Sequence, residues 1–484
     1  MARLDQIPGS TPRGIAGGAN SGWYRRAAIV FLTALFALNV YRAATQSFTT
    51  DEAYSWRLYI GATPFNLFRQ YDANLHVLHT LLTWASVKLF GLSELTFRIP
   101  SLLACAAYFA AVYRLCELAF GASPMFLLGT CLLTVNPLIE DHMSIGRGYG
   151  LALAFFAWAF VEALRSLHHE RRLPRLAVWL ALSVAANLTF LFPAAALLAM
   201  VTVVRLRNGS RLRTTFVTTF KTLTRELFGP WLVLTFLFLV LPFSRMVPGQ
   251  LYFGVNTIPL SARTLLELSI GNRHLSLPVV TAIAALAFAG CAGGGIALWR
   301  RRNAEGDFAL LAAGTFTLTA CLVIASHMWF GVLYPVGRTG LYFVFLLPLC
   351  LLPLARWRAG AGALALLCLT MAQGIRWDRY MEWRFDASNR DIMARIESRH
   401  IADSGSVRIL CSVPMANTLR LYRAMHQLDW VNDIVMNRWE RGFDYYVIGA
   451  GDSDKVAELD LQELSVGAVS GTILAVPSSE GSRR

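Results

Sequence analysis

Two adjacent acidic residues, Asp51 and Glu52, directly follow the first long apolar run of the chain, in the stretch TTDEAYSW (49–56). Charge beside a membrane-length apolar run is costly unless it is solvated, paired or used in chemistry. Thr49 and Glu52 match the S/T-x-x-E capping box, which predicts a helix that begins at Thr50. Glu52 is therefore a candidate either for a site or for this cap. Asp51 is not needed for the cap, so we expect it to be functional, with electrostatic stabilisation of the helix N-terminus as the alternative.

A second polar stretch, YDANLHVLH (71–79), brings Asp72, Asn74, His76 and His79 to the start of the next apolar helix. The two histidines are three residues apart and share a helix face. Such a pair is able to bind a metal ion, and His76 alone is able to contact a substrate or a phosphate. A hydrogen-bonded role at the membrane interface is the alternative to both.

The short segment NPLIEDHMSIGRGYG (136–150) carries Glu140, Asp141, His142 and Arg147 between two apolar runs. Two acids, a histidine and an arginine are unusual for a passive loop. We interpret Glu140 and Asp141 as a second acidic site and Arg147 as a candidate anion contact. Mutual salt bridging within the turn is the alternative.

Arg338 lies in YPVGRTG (334–340) and is the only charged residue between Phe308 and Leu354. An arginine presents a planar fork of donors that suits a phosphate group, so an isolated arginine here indicates a phosphate site. The alternative is that its side chain extends to a lipid headgroup.

The composition of the 484-residue chain indicates a polytopic membrane protein, because 55% of residues are hydrophobic and only 15% are charged. The net charge of +14 arises in the apolar part: residues 1–375 carry +16 and residues 376–484 carry −2. Membrane orientation explains this distribution, and we expect no nucleic-acid partner. The eight cysteines show no metal or disulfide spacing.

We predict about eleven transmembrane helices. Their approximate bounds are 27–44, 99–118, 125–139, 148–165, 176–189, 190–204, 229–245, 278–298, 308–326, 340–355 and 359–375. With the N-terminus in the cytoplasm, the inside segments carry twenty basic residues, against ten outside before the tail. This bias predicts a cytoplasmic N-terminus and an extracytoplasmic C-terminus.

The resulting fold class is an all-α polytopic membrane protein with a small C-terminal α/β domain. Residues 1–375 form the transmembrane domain, with long outside loops at 45–98 and 246–277. Residues 376–484 alternate strand-like and helical runs, which predicts a soluble extracytoplasmic domain. The segment 75–90 is apolar enough to lie in the membrane interface.

No nucleotide-binding motif is present in the chain, so we expect no nucleotide cofactor. A reaction at the outer face therefore needs another activated donor, and a membrane-soluble donor would meet that need.

Four stretches in order resemble the class C (GT-C fold) glycosyltransferases, in the branch of the protein O-mannosyltransferases and aminoarabinose transferases. The stretches are TTDEAYSW, NLHVLHTLL, GLSELTFRIPSLLA (91–104) and RGYGLALAFF (147–156). The likeness covers roughly the first 200 residues well. Two positions depart from the family pattern: an HPP-type motif reads LHV at 75–77, and Gly146 replaces an acid before Arg147.

The resemblance implies transfer of a sugar from a polyprenyl-phosphate donor to a lipid, glycan or protein acceptor, at the outer face of a bacterial cytoplasmic membrane. Asp51 matches the family's catalytic acid, and Glu140 or Asp141 matches its second acid. Asp51 would then deprotonate the acceptor hydroxyl, while Arg147, Arg338 and His76 contact the donor phosphate. A divalent metal ion remains open, with Asp51, Glu140 and Asp141 as candidate ligands.

The principal alternative is a transporter or flippase of a lipid-linked glycan, which would use the same arginines and need no base. Such proteins usually have repeated halves or broken helices, and the sequence has no evident internal repeat. A non-catalytic scaffold acting through the tail would leave the clustered outside acids unexplained.

Overall fold

The computed structural model describes residues 21–61, 66, 71–167, 172–208, 215–246, 249, 253–299, 303–400 and 405–478. Two basic stretches that contribute to the cytoplasmic excess, RLRNGSRLR (205–213) and LWRRRN (298–303), lie partly outside these ranges. The statements below concern the described residues.

Residues up to 372 form sixteen α-helices. They are α1 (Ser21–Thr45), α2 (Thr50–Ser55), α3 (Val77–Phe90), α4 (Glu94–Phe120), α5 (Pro124–Thr134), α6 (Pro137–His142), α7 (Gly148–Ser166), α8 (Leu173–Ala186), α9 (Leu191–Arg207), α10 (Phe216–Leu223), α11 (Gly229–Ser244), α12 (Ile258–Ser269), α13 (Leu277–Leu298), α14 (Ala304–Phe330), α15 (Leu341–Leu351) and α16 (Arg358–Ala372). The predicted helix start at Thr50 is confirmed.

Eight helical segments of the described chain are long and apolar enough to cross a membrane. Each of the eleven predicted spans coincides with a helix. In the described chain α9, α11 and α15 reach span length by continuing into adjacent helical turns (Leu188–Arg207, Phe216–Val240 and Gly337–Arg356), whereas three predicted spans coincide only with short helices. The three are α5, α8 and α16, with 11, 14 and 15 residues, against the roughly 20 that cross a hydrocarbon core. The helix α3, predicted at the interface, is also short. The protein is therefore a multi-pass membrane protein, and its described residues contain eight long apolar helical segments against the eleven predicted.

The helix α7 is the centre of the membrane part. It packs against α4 and α8 and is buried along nearly its whole length. Small residues allow such close helix approach; a side chain at Gly148 would collide with the backbone carbonyl of Ala186 on α8. The opposite case is α13, where only Val280 and Cys291 are buried and the apolar surface suits lipid.

The chain after α16 contains a five-stranded sheet with three helices. The elements are α17 (Asn389–Arg399), β1 (Val407–Cys411), α18 (Ala416–Met425), β2 (Val431–Met436), β3 (Tyr445–Ile448), α19 (Lys455–Glu458), β4 (Leu461–Val466) and β5 (Ile473–Pro477). The strand order is β2-β1-β3-β5-β4. Strand β1 is parallel to β2 and β3, whereas β5 is antiparallel to β3 and β4. The predicted fold class is thus confirmed.

Candidate active site

A cavity of about 410 Å³ lies between α2, the segment before α3, the starts of α7, α9 and α15, and the loop after α14. Its polar end contains the charged residues Asp51, Asp72, Arg147 and Arg338. Its apolar walls include Leu188, Leu191, Phe192, Phe243, Phe253, Val323, Val332 and Leu333. The cavity therefore joins a charged end to an extended apolar surface.

Asp51 lies between two arginines from distant parts of the chain. Its Oδ2 is 3.0 Å from Nη2 of Arg338 and 3.7 Å from Nη2 of Arg147. We call these three residues the cavity cluster. The Nε atoms of both arginines are buried without a hydrogen-bond acceptor among the described residues. Both guanidiniums thus retain donor capacity for an anion.

The capping box explains why Asp51 and Glu52 separate. Thr49 accepts a hydrogen bond from the Glu52 amide, and the Glu52 carboxylate accepts one from the Thr49 amide at 2.8 Å. Consecutive helical residues point about 100° apart. With Glu52 turned back into the protein, Asp51 is directed into the cavity.

Glu52 lies outside the cavity in a fully buried ion pair. Its two oxygens are 2.8 and 2.7 Å from Nε and Nη2 of Arg98, and neither side chain is exposed. Arg98 also donates to the carbonyls of Ala43, Gln46 and Ser47 at the end of α1. The geometry gives Glu52 a structural role and does not place it beside Asp51 as a second catalytic acid.

Glu140 and Asp141 are also buried away from the cavity lining. Glu140 Oε2 accepts from Asn39 Nδ2 at 2.6 Å. Asp141 pairs with Arg42 and accepts from the Met381 amide at 2.7 Å. We call Glu52, Arg98, Arg42 and Asp141 the buried cluster. The salt-bridged alternative fits Asp141, although its arginine comes from α1 and not from the same turn, whereas the described ion pairs do not include Glu140.

The candidate metal ligands do not form a metal-binding group. Asp51 faces two guanidiniums, and Asp141 pairs with Arg42. No group of three His, Cys, Asp or Glu side chains suited to a metal ion occurs in the described ranges. A carboxylate between two arginines is a poor cation ligand because its charge is already balanced, so we derive no step through a metal.

Arg147 is held at the start of α7 and is buried, with 1% of the whole residue exposed. Its Nη1 donates to Ser55 Oγ at 3.1 Å and to the carbonyl of Asn74 at 3.2 Å. A Cβ atom at Gly146 would lie 2.6 Å from the Phe97 ring and 2.8 Å from Glu52 Oε1. The position before Arg147 therefore has no room for an acid, which explains the departure from the family pattern.

Arg338 lies in a 3₁₀ turn, Gly337–Gly340. Its guanidinium stacks 4.3 Å from the ring centre of Phe253 and 4.8 Å from that of Trp383. Nη1 is 3.3 Å from Oε1 of Glu382, a partly buried residue that follows α16. Sequence reasoning missed Glu382, because its contact with Arg338 joins residues 44 positions apart.

The pKa of Glu382 reflects these neighbours. Burial alone would raise it, but the interaction with His142 and the charge of Arg338 outweigh burial and hold the pKa below its ordinary value. His142 Nε2 is 3.5 Å from Glu382 Oε2. An ionised Glu382 fixes the guanidinium of Arg338 at the cavity.

His76 lines the cavity, but His79 does not act with it. His79 Nε2 is 3.1 Å from Ser101 Oγ, so the predicted alternative of a hydrogen-bonded histidine fits this residue. The ring of His76 lies edge-on to Tyr149 at 4.9 Å, and its Nε2 has no partner among the described residues. Burial, followed by the charge of Arg147, lowers the pKa of His76 well below its ordinary value. His76 is therefore neutral near pH 7.

Asp72 is a second cavity carboxylate that was not among the predicted site residues. It is 3% exposed and accepts from the Tyr54 hydroxyl at 3.2 Å and from the Asn74 amide at 2.9 Å. The described ion pairs do not include Asp72. Its place in the polar stretch 71–79 was the available signal, but the pattern did not distinguish it from its neighbours.

Comparisons with protein-family models and with curated proteins give no match. Among solved structures, the chain is similar to ArnT from Cupriavidus metallidurans bound to undecaprenyl phosphate, with 14% identity and a TM-score of 0.43 over 95% of this chain and 99% of that one. It is also similar to the Archaeoglobus fulgidus oligosaccharyltransferase in complex with Zn and sulfate (11%, TM-score 0.46, 94% and 73%). A third similar structure is the arabinosyltransferase EmbB from Mycobacterium smegmatis (14%, TM-score 0.38, 79% and 33%). The oligosaccharyltransferase and the arabinosyltransferase are named as glycosyl-transferring enzymes.

Proposed function

We propose that this protein is an integral membrane glycosyltransferase that moves a sugar from a polyprenyl-phosphate donor to an acceptor hydroxyl. The observation that carries the proposal is the cavity cluster, in which one carboxylate lies between two arginines in a cavity that also has an extended apolar lining. Together with the four family-like stretches, it supplies a base, a phosphate site and a surface for a lipid chain.

The donor phosphate binds at Arg147 and Arg338. Both guanidiniums are nearly buried, with side chains 2% and 14% exposed, and charge-assisted hydrogen bonds are strong where water is excluded. The prenyl chain lies along the apolar walls formed by residues such as Leu191, Phe243 and Val323. This arrangement explains why the charged and apolar surfaces share one cavity.

Transfer requires one bond to form and one to break at the anomeric carbon of the sugar. The acceptor oxygen forms a bond to the anomeric carbon, and the bond between that carbon and the phosphate oxygen breaks. The electron pair of the broken bond leaves with the phosphate. The two guanidiniums stabilise the departing charge. The acceptor proton passes to a carboxylate, which we assign to Asp51.

Donor binding and base release are linked in this scheme. Asp51 and the donor phosphate compete for the same N–H groups of Arg147 and Arg338. When a phosphate binds to the arginines, the Asp51 carboxylate loses contacts with their N–H groups. Its oxygen atoms are then free to accept the proton of the acceptor hydroxyl. His76, neutral and with a free ring nitrogen, offers a hydrogen bond to the sugar or phosphate.

A direct test uses the purified full-length protein in detergent. A short-chain polyprenyl phosphate should bind at least about tenfold more tightly than the matching polyprenol without phosphate, because each charge-assisted hydrogen bond contributes about 1.5–3 kcal/mol. Labelled lipid-linked sugar should then yield a covalently glycosylated acceptor and free polyprenyl phosphate. Equal binding of the two lipids would contradict the phosphate site.

The alternative function, a transporter or flippase of a lipid-linked glycan, predicts a different outcome from the same material. The labelled lipid would cross the bilayer of reconstituted vesicles without any covalent transfer. This alternative gives no reason for a carboxylate between the two arginines, since a transporter needs no base.

We further propose that the cavity faces the outside of a cytoplasmic membrane, with the C-terminal region on the same side. The support is the excess of basic residues in the segments assigned to the cytoplasm. Reporter fusions after Arg211 and after Arg408 should lie in opposite compartments. The same compartment for both would contradict this orientation.

A further inference from the structure

The segment between α1 and α2 is held by residues from the other end of the chain. Of the five residues 46–50, four form hydrogen bonds with residues beyond Ile375. These contacts are Gln46 with Trp377, Ser47 with Ala387 and Arg390, Phe48 with Tyr422, and Thr50 with Asp386. The segment ends at Thr50, one residue before Asp51.

Asp386 makes the closest connection to Asp51. Its Oδ2 accepts from the Thr50 amide at 2.7 Å, and its Oδ1 lies 3.0 Å from the Thr50 hydroxyl. The first amides of a helix have no acceptor within the helix, so Asp386 satisfies an amide of α2 from the C-terminal region. Asp386 is 1% exposed, and Asn389 Nδ2 donates to Oδ1 at 2.8 Å.

Tyr422, on α18, makes the second connection. Its hydroxyl accepts from the Phe48 amide at 2.9 Å and donates to Glu94 Oε1 at 3.1 Å. The ring lies 5.6 Å from that of Phe48, and the residue is fully buried. One side chain of the C-terminal domain thus joins the segment before α2 to the start of α4.

Arg338, which pairs with Asp51 in the cavity cluster, also contacts the region after α16. Glu382, four residues before Asp386, lies 3.3 Å from Nη1 of Arg338. The short segment 382–386 therefore contacts Arg338 on one side and the helix that carries Asp51 on the other.

We propose that Asp386, supported by Tyr422, is a positioning residue that holds Asp51 in register with Arg338. The C-terminal region would then be part of the active site's framework and would not serve only as an appended module. This inference rests on the proposed function for its activity readout. The restraint of α2 by Asp386, on which the inference depends, is measurable without any substrate.

A small displacement of Asp51 is enough for the proposed effect of Asp386 on the transfer rate. Loss of the Asp386 contact leaves the Thr50 amide and hydroxyl without that carboxylate, so the first turn of α2 can shift. A misplacement of about 1 Å in a reacting group is able to cost about 100-fold in rate. Donor binding depends mainly on Arg147 and Arg338, which keep their own partners, so the loss should appear in kcat.

The test compares Asp386→Ala, Asp386→Asn and the control Asp391→Ala in the full-length protein. Asp391 is an exposed acid of α17. Asp386→Ala should lower kcat about 10- to 100-fold, with donor KM changed less than about threefold, and should speed amide hydrogen exchange in the peptide 46–58. Asp386→Asn should recover most of both losses, because Asn accepts amide hydrogen bonds nearly as well as Asp at a helix start. Asp391→Ala should change neither.

Normal kcat and normal exchange in Asp386→Ala would overturn the inference, as would a loss confined to KM or no recovery by Asn. If the wild-type protein transfers no sugar at all, the proposed function fails, while the exchange comparison still decides the restraint. If Asp386→Ala does not fold, Tyr422→Phe decides the inference. That variant keeps the ring and removes the acceptor of the Phe48 amide, so faster exchange and lower kcat support the inference and wild-type behaviour overturns it.

Discussion

The cavity cluster and the buried cluster are built from the same residue types on neighbouring positions, yet they have different roles. Asp51 and Glu52 are adjacent, and each pairs with arginine. The side chains of Asp51 and Arg338 are 20% and 14% exposed, whereas Glu52 and Arg98 are not exposed at all. Glu52 is also bound by the amides of Thr49 and Gly146. One pair is partly exposed in the cavity, and the other joins the connection between α1 and α2 to α4 and to the segment before α7.

This difference shows that access, and not residue type, separates a candidate catalytic acid from a structural one. A rotation of about 100° along α2 directs one carboxylate to the cavity and the other to Arg98. The comparison predicts that variants of the buried cluster lose stability, whereas variants of the cavity cluster lose activity.

The largest effect is expected for Arg98→Met, which leaves Glu52 buried without its cation. Removing one partner of a buried pair typically costs about 3–5 kcal/mol. The variant should therefore lose most of its thermal stability, measured by aggregation of the detergent-solubilised protein on heating. Glu52→Gln should act in the same direction, since it leaves Arg98 unpaired.

Arg114→Met is the matched control for the buried pair. Arg114 pairs with Glu117 on the same helix, but its side chain is 48% exposed. An exposed pair contributes about 0–1 kcal/mol, so this variant should melt near the wild type. Equal melting of the Arg98 and Arg114 variants would remove the distinction between the two clusters.

The next effect is expected for Asp51→Asn, which preserves shape but cannot accept a proton. Sugar transfer should fall at least about 100-fold, the low end for loss of a general base, while thermal stability changes little. The measurement is initial transfer rate at saturating donor. Normal transfer by this variant would contradict the assignment of Asp51 as base and favour Asp72, whose Asn variant should then be inactive.

Much of the fold and part of the site could be predicted from the sequence, for local reasons. The apolar runs located the membrane helices, and the capping box placed the start of α2 and separated Glu52 from Asp51. The isolation of Arg338 marked it as unusual. Strands β2 and β4 and the contacts of Glu382, Asp386 and Arg98 were not predicted, because they depend on chain segments that meet only after folding.

Arg338 tests whether the cavity cluster binds an anion. Arg338→Ala should weaken polyprenyl phosphate binding about 10- to 100-fold, because hydrogen bonds to charged groups contribute about 1.5–3 kcal/mol. Arg338→Lys should restore only part of the affinity, since a lysine lacks the bidentate fork. Binding of the matching polyprenol should be unchanged in both variants. Equal loss for both lipids would indicate a packing defect instead of a phosphate site.

The smallest effect concerns pH and separates His76 from the arginines beside it. Burial and the charge of Arg147 lower the pKa of His76 well below 6.5 in the folded protein, whereas the unfolded chain takes up the proton near pH 6.5. The unfolded state therefore binds more protons as the pH falls, so the stability contribution is present above about pH 6.5 and is lost below it. The slope of the free energy of unfolding is at most about 1.4 kcal/mol per pH unit.

His76→Gln should remove this pH dependence, so the melting temperature of the variant should fall less than that of the wild type between pH 7.5 and 5.5. At pH 7.5 both side chains are neutral, which makes that pH the reference for any packing change. Parallel curves for the two proteins would show that His76 is not held neutral by its position in the cavity, and its role as a neutral hydrogen-bonding contact to the donor would then have no physical basis.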